Sequence, residues 1–193
     1  MSVPEYDELV RRVDALAAQI ALRRAGDLAC GRGCTACCRV QLSLSPVEAD
    51  EVRAALAGLS EDTRERLRAR ARELAAGGDL PRDTACVMLD EDGGCAIYAS
   101  RPLVCRTQGH ALRYPAGSLP DDSVFATGGG GEITWCPLNY TAELPRSEDV
   151  LEAERIDEVL ATINLLAAEG TRDVLERATL VELALAEDEP PQG

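Results

Sequence analysis

The eight cysteines are the residues of this chain best suited to chemistry. Four of them lie within nine residues, and they are Cys30, Cys34, Cys37 and Cys38. The other four are Cys86, Cys95, Cys105 and Cys136. Thiolates bind soft and borderline metals, with zinc and iron–sulfur clusters as the main candidates. We therefore expect all eight cysteines to be metal ligands.

The spacing leaves the number of metal centres open. Adjacent thiols at Cys37 and Cys38 would strain to fill two corners of one small tetrahedron, so one of them points elsewhere or stands beside the ligands. Eight cysteines could form two four-thiolate sites, one polynuclear site, or one four-cysteine site with spare redox-active thiols. Zinc and an iron–sulfur cluster agree equally well with these donors.

Charge and the single histidine add a few candidates near the thiols. Four thiolates on Zn²⁺ or on a doubly positive cluster leave about two negative charges to be offset by nearby cations and amides. Arg101 and Arg106 bracket Cys105, and we predict that both contact the cofactor. His110 could be a ligand or a proton carrier, but a surface or hydrogen-bonded role is favoured. One histidine supports no Ser/His/Asp or Cys/His nucleophile, so catalytic residues and catalysis itself stay open.

Composition indicates one helical domain of ordinary size. The chain has 193 residues, of which 46% are apolar and only 3% aromatic. Such a core consists mostly of Leu, Val and Ala, which favours helices over a sandwich or barrel. The fold class we expect is mostly α, with helices packed around an irregular cysteine-rich metal-binding core that contains a short β-hairpin.

The charge balance excludes some partners and suggests another. The net charge is −14, and residues 143–193 carry 14 acidic residues against four arginines. This balance argues against nucleic-acid and anionic-membrane binding. It leaves a protein partner at the acidic C-terminal helices as a candidate.

The same sequence favours a cytoplasmic location. The acidic start lacks the pattern of a secretory signal, and no apolar run approaches the roughly 20 residues that span a bilayer. In the reducing cytoplasm, metal ligation is the favoured use of eight thiols, rather than disulfide formation.

Periodicity and capping signals place the elements around the cysteines. Apolar spacing predicts a helix from about residue 4 to 24, and alternation predicts a short strand over 40–44. Ser45 and Ser60 begin two further helices, which end near residues 56 and 77. Turn residues between Cys86 and Cys95 predict the hairpin.

The rest of the chain is predicted to be a long loop up to Trp135, followed by two helices. These helices begin at Ser147 and Thr171, and the first ends at Gly170. The expected organisation is an N-terminal amphipathic helix (1–26), a cysteine-cluster domain (27–142), acidic C-terminal helices (143–186) and a disordered tail (187–193).

Three segments together resemble a known family. They are Cys30-Gly-Arg-Gly-Cys34-Thr-Ala-Cys37-Cys38, then Cys86, then Cys95-Ala-Ile-Tyr98-Ala-Ser-Arg101-Pro102-Leu-Val-Cys105-Arg106. This pattern is similar to that of the YkgJ-type cysteine-cluster family, the CxxCxxCC domain named for suspected zinc or iron chelation. The likeness covers about residues 28–140 and includes Cys136 as the closing cysteine. Val87-Met88-Leu89 departs from relatives that have a proline and an aromatic there.

The resemblance implies a metal-binding protein that holds zinc or an iron–sulfur cluster through cysteine thiolates. Two alternatives stay open. One is an iron–sulfur-dependent enzyme of methyl transfer or a related modification, because a related cysteine cluster accompanies the flagellin lysine methylase. The other is a metal-handling or partner-docking protein that uses its acidic C-terminal helices.

Overall fold

The computed structural model describes residues 3–31, 33–78, 84–90, 92–118, 126–128, 132–168, 170 and 173–186. Six α-helices cover nearly half of these described residues. They are α1 (Pro4–Arg23), α2 (Pro46–Ala57), α3 (Glu61–Ala76), α4 (Leu103–Thr107), α5 (Ala153–Ala168) and α6 (Leu180–Leu185). The strands are β1 (Ser43–Leu44), β2 (Ala111–Arg113), β3 (Ala126–Gly128), β4 (Ile133–Trp135), β5 (Val150–Glu152) and β6 (Ala178–Thr179). The expected helical content is confirmed, and the tail predicted at 187–193 lies outside the described residues.

The chain forms two compact units. Unit 1 consists of Met1–Val3, Arg32–Pro102 and Ala167–Gly193. Unit 2 consists of Pro4–Gly31 and Leu103–Leu166. The boundaries drawn from sequence at residues 26, 142 and 186 stay a prediction about domains.

Unit 1 is built on helices α2, α3 and α6, and α6 packs against both of the others. Strands β1 and β6 pair antiparallel beside them, with Ser43 opposite Thr179. Its buried core contains Leu44, Ala49, Val52, Leu67, Ala71, Val87, Met88, Ile97, Leu180, Leu183 and Ala184. Three of these residues, Val87, Met88 and Ile97, lie beside Cys86 or Cys95 in sequence. Burial of apolar neighbours therefore anchors two cysteine positions to the helices.

The predicted starts of α2 and α3 are confirmed. Ser60 Oγ accepts a hydrogen bond from the Thr63 amide at 3.3 Å, which is the contact expected of a helix cap. Ser45 has the extended backbone of a cap residue, but its hydroxyl lies 3.1 Å from Glu48 Oε2 and caps no amide. The helix start was thus predicted correctly, while its hydrogen bond differs.

The last helix begins later than predicted. It starts at Leu180, after a capping box in which the Glu182 amide donates to Thr179 Oγ1 at 3.1 Å and the Thr179 amide donates to Glu182 Oε2 at 2.7 Å. The predicted start at Thr171 lies outside the described residues. Leu175, which lies within the predicted helix, is exposed. The capping box and the pairing of β6 with β1 together fix the later start.

Unit 2 contains a sheet that the sequence did not predict. Its strand order is β3-β4-β2-β5, in which β2 pairs parallel with β5 and the other neighbours are antiparallel. Leu112 stands opposite Leu151 on one side and Thr134 on the other. The expected long loop up to Trp135 is therefore wrong, because strands of three residues interrupt it.

The helix predicted from Ser147 is also shorter than expected. Ser147–Asp149 forms a single 3₁₀ turn and Val150–Glu152 forms β5, so α5 begins at Ala153. Leu151 is buried in a small cluster with Ile20 of α1 and Leu112 of β2. Because Val150–Glu152 pairs with β2, it forms a strand although the sequence predicted a helix there.

A buried ion pair ties α1 to the turn before β5. Arg24 Nε donates to Asp149 Oδ2 at 2.7 Å, and Arg24 Nη2 donates to the Leu144 carbonyl at 3.1 Å. Arg24 and Asp149 are 7% and 1% exposed. Burial opposes ionisation of Asp149, but hydrogen bonds from Arg24 and the Arg146 amide outweigh it and hold the pKa of Asp149 below its usual 3.8.

We expect Asp149→Asn to destabilise unit 2 by about 1–3 kcal/mol, because it removes the buried carboxylate from Arg24 and leaves that guanidinium paired with the exposed Glu143. Equilibrium denaturation would measure the change. Glu152→Gln is the matched control, since it neutralises an exposed partner of Arg113 and should cost less than about 1 kcal/mol. Equal losses in both variants would contradict the prediction.

The same pair sets a pH dependence. Because folding lowers the pKa of Asp149, its contribution is complete above the unfolded pKa of about 3.9 and is lost as the pH falls through the lower folded value. Wild-type protein should therefore lose more stability than Asp149→Asn during acidification below about pH 4. Denaturation midpoints across that range would test this, and parallel curves would contradict it.

Candidate metal centre

Five of the cysteines belong to unit 1, and they are Cys34, Cys37, Cys38, Cys86 and Cys95. The first three lie in the irregular segment before β1, and the other two flank a tight turn. A backbone hydrogen bond joins the two segments, because the Cys86 amide donates to the Cys38 carbonyl at 2.8 Å. The segments that carry the thiols of unit 1 are thus held side by side.

The thiols of the adjacent residues Cys37 and Cys38 influence each other. The Cys38 thiol, together with burial, raises the pKa of the Cys37 thiol, while the guanidinium of Arg101 acts in the opposite direction. Two thiols in such contact share a proton rather than both ionise. A metal cation could take the place of that proton, since thiolates are the ligating form.

Cys86 lies near two of these thiols. Burial raises the pKa of Cys86, and the charges of Cys95 and Cys37 add to the effect. Arg70 opposes it, and the Arg70 Nη1 atom also donates to the Leu89 carbonyl at 2.9 Å. Cys37, Cys86 and Cys95 therefore influence one another electrostatically. Arg70 is a cation of this region that the sequence did not single out.

The turn between Cys86 and Cys95 takes a reduced form of the predicted hairpin. Leu89 and Cys95 form an isolated antiparallel bridge. The Asp90 amide donates to the Gly94 carbonyl at 2.7 Å, and the Ala96 amide donates to the Met88 carbonyl at 2.8 Å. In the described residues the segment is a turn closed by these bonds, without extended strands.

The two arginines predicted to contact the cofactor have different surroundings. The guanidinium of Arg101 stacks over the Tyr98 ring, 3.9 Å from its centroid. The Arg106 side chain is 7% exposed, and its Nη1 atom lies 2.6 Å from Asp14 Oδ2 of α1. The charge of Arg106 is thus already balanced by a carboxylate. Contact of either arginine with a cofactor stays a prediction.

Unit 2 contains the other three cysteines, which are Cys30, Cys105 and Cys136. Cys30 is exposed and Cys136 is buried, and both lie against Gly109. A Cβ atom at Gly109 would collide with Cys30 Sγ and would lie 3.8 Å from Cys136 Cβ, and the glycine φ is +100°. Both the space and the backbone angle therefore require glycine at this position.

Asn139 organises the same region and was missed in the sequence. Its side chain is almost fully buried and makes three hydrogen bonds. The Oδ1 atom accepts from the Ala29 amide at 2.8 Å, while Nδ2 donates to the Gly109 carbonyl at 2.7 Å and to Cys30 Sγ at 3.1 Å. The one signal in the sequence was its position three residues after Cys136. In the structure, the backbone N–H of Asn139 donates to the Cys136 carbonyl at 2.9 Å and closes a turn.

His110 is buried rather than on the surface. It is 8% exposed, and its amide donates to the Thr107 carbonyl at 3.1 Å. It follows Gly109 directly and so belongs to the same segment of unit 2. Its part in metal binding is untested by these contacts.

The thiols suit a thiophilic metal by their chemistry, but they are not gathered around a common point. None of the eight cysteines forms a disulfide. Across the described residues, no three thiol, imidazole or carboxylate groups stand close enough together to hold an ion as they are placed. Metal binding would therefore bring such groups closer together than they stand here.

Fold and thiols together define a largely helical, cysteine-rich protein whose thiols are distributed over two units. The chain belongs to the CxxCxxCC family, whose model, described as "Putative zinc- or iron-chelating domain", matches residues 29–128. This confirms the resemblance seen in the sequence. No curated protein and no solved structure matches the chain. In the part of the chain that is described, no helix has the length and hydropathy needed to cross a membrane.

We expect Gly109→Ala to destabilise the protein more than Gly26→Ala does. Both positions have positive φ, but an added Cβ meets nothing within 4 Å at Gly26. The backbone penalty of about 1–2 kcal/mol is common to both variants. The collision with Cys30 Sγ adds about 1–3 kcal/mol at Gly109 alone. Denaturation curves would measure the difference, and equal costs would show that the sulfur moves aside freely.

Proposed function

We propose that this protein binds zinc or an iron–sulfur cluster through cysteine thiolates. The observation that carries the proposal is the hydrogen bond from the Cys86 amide to the Cys38 carbonyl. It supports a site in unit 1 because it holds two thiol-bearing segments together although neither is part of a sheet ladder. Membership of the CxxCxxCC family supports the same class of ligand.

The thiols of unit 1 form a sufficient donor set in this proposal. Cys34, Cys37, Cys38, Cys86 and Cys95 exceed the four thiolates that zinc or a common iron–sulfur cluster requires. When bound, zinc supplies a cross-link or a Lewis acid, and a cluster supplies electron transfer. Cys30, Cys105 and Cys136 of unit 2 stay predicted ligands.

Two arginines and an apolar wall surround these thiols. Arg101 lowers the pKa of Cys37, and Arg70 lowers that of Cys86, each against stronger opposing effects. Val87 and Met88 are fully buried next to Cys86. Cations near a thiolate centre offset its excess negative charge, and an apolar wall slows exchange with solvent.

The alternatives from the sequence receive less support. A groove of about 810 Å³ runs along α1 in unit 2, and its lining includes Leu9, Val13 and Ile156 but no cysteine. It therefore offers no substrate space beside a thiol of the kind that methyl transfer would need. A partner at the acidic C-terminal helices and a cytoplasmic location remain parts of the proposal that await a test.

Metal analysis is the direct test of the proposal. We expect protein purified without oxygen to contain either zinc, colourless and without sulfide, or iron with matching acid-labile sulfide and a brown absorbance. Elemental analysis, sulfide assay and a visible spectrum of one sample distinguish the two. Protein that is fully folded, metal-free and unable to take up zinc or iron would contradict the proposal.

We expect Cys86→Ser to lower bound metal and to destabilise unit 1, because ligation free energy is also folding free energy. Val87→Thr is the matched control, since it places a hydroxyl at the neighbouring buried position without removing a thiol. Metal content per folded chain is the measurement. Full metal content in Cys86→Ser would remove Cys86 from the ligands.

A further inference from the structure

Asn139 makes a set of contacts that goes beyond holding a turn together. It is 1% exposed, and each of its polar atoms is used. A side-chain amide has two N–H donors, and here one meets the Gly109 carbonyl while the other meets the sulfur of Cys30. A buried amide that gives one of its two donors to a thiol is an uncommon use of that donor, since sulfur is a weak acceptor in its neutral form.

The partners of Asn139 fix the orientation of its amide. The Ala29 N–H group can only donate, so the atom that faces it must be the amide oxygen. The Gly109 carbonyl can only accept, so the atom that faces it must be the nitrogen. The second hydrogen of that nitrogen is thereby aimed at Cys30 Sγ, and the direction of the N–H···S bond follows from backbone groups alone.

Gly109 completes the surroundings of the Cys30 sulfur. The missing Cβ leaves the space that the sulfur occupies, because a Cβ atom added at Gly109 would collide with Cys30 Sγ. The sulfur is thus located by a steric gap on one side and by a hydrogen-bond donor on the other, while the residue itself stays exposed to solvent. An N–H donor gains strength when its acceptor becomes negatively charged, as a metal-bound thiolate is.

We infer that Asn139 is a positioning residue that holds the Cys30 sulfur ready for metal ligation. This inference rests on the proposed function, because it assigns a role to Asn139 only if cysteines of this chain bind metal. The amide orients the sulfur and offsets part of its negative charge, as outer partners of metal ligands do. An aspartate of the same shape cannot take this role, because its oxygens would face the Gly109 carbonyl and the sulfur without a proton to donate.

The test compares two isosteric changes in the full chain. Asn139→Asp removes the N–H donors beside Cys30. Asn164→Asp makes the same change at a buried asparagine of α5 whose Nδ2 donates to the Leu160 carbonyl. Each metal-free chain is titrated with Co²⁺, and the sulfur-to-cobalt charge-transfer absorption and the affinity are recorded. Circular dichroism reports whether each chain is folded.

We expect Asn139→Asp to shift the charge-transfer band and to weaken Co²⁺ binding by about 10- to 100-fold, while Asn164→Asp behaves as wild type. A folded Asn139→Asp chain with the wild-type band and affinity would overturn the inference. So would an equal loss in both variants, since that would indicate a general effect of a buried carboxylate.

A second variant keeps the test decisive if Asn139→Asp does not fold. Cys30→Ser keeps an acceptor for the Asn139 amide and removes only the sulfur, so the fold should persist while the cobalt band loses intensity. An unchanged band would overturn the inference even when wild type binds cobalt. Wild-type chain that binds neither cobalt, zinc nor iron would instead refute the proposed function itself.

Discussion

The hydrogen bond between the Cys86 amide and the Cys38 carbonyl is the contact on which the thiol arrangement of unit 1 depends. The segments that it joins are irregular, so their buried backbone groups have few partners to choose from. Val87 and Met88 anchor one of the segments in the helical core. The bond also fixes the segment that contains Cys38 relative to this core. Helices that contain no cysteine therefore determine where these thiols lie.

In unit 2, buried polar side chains hold the irregular segments in place. Asn139 and Asp149 are each 1% exposed, and each has several hydrogen-bond partners in different parts of the unit. Satisfied buried polar groups specify one arrangement because every alternative leaves a donor or acceptor unpaired. One of them holds the segments around Cys30, and the other holds α1 to the sheet. Few contacts therefore determine a large stretch of irregular chain.

The helices could be predicted wherever apolar spacing and a cap coincided, as at Ser60. The sheet could not, because strands of three residues are too short to show alternation. Val150 fitted a helical period as well as a strand, and the pairing of β5 with β2 decided between them. Only tertiary structure could settle that choice.

The candidate site divides in the same way. The cysteines could be identified as candidate ligands from their residue type and clustering, and the family match agrees with that prediction. Gly109 and Arg70 carry no such signal, and Asn139 carries only its place three residues after Cys136. The importance of all three comes from what lies next to them in space. The role of Gly109 becomes visible only when Cys30 Sγ is found beside it, and that of Asn139 only when its hydrogen-bond partners are known.

The order of the chain has a consequence for synthesis. The side chain of Arg177 donates to the Ser43 hydroxyl, 134 residues away, and β6 and α6 follow it. A ribosome therefore produces all the thiols of unit 1 well before Leu180 and Leu183 complete its core. During that interval the segments that carry these thiols lack part of the helical core that later holds them in place.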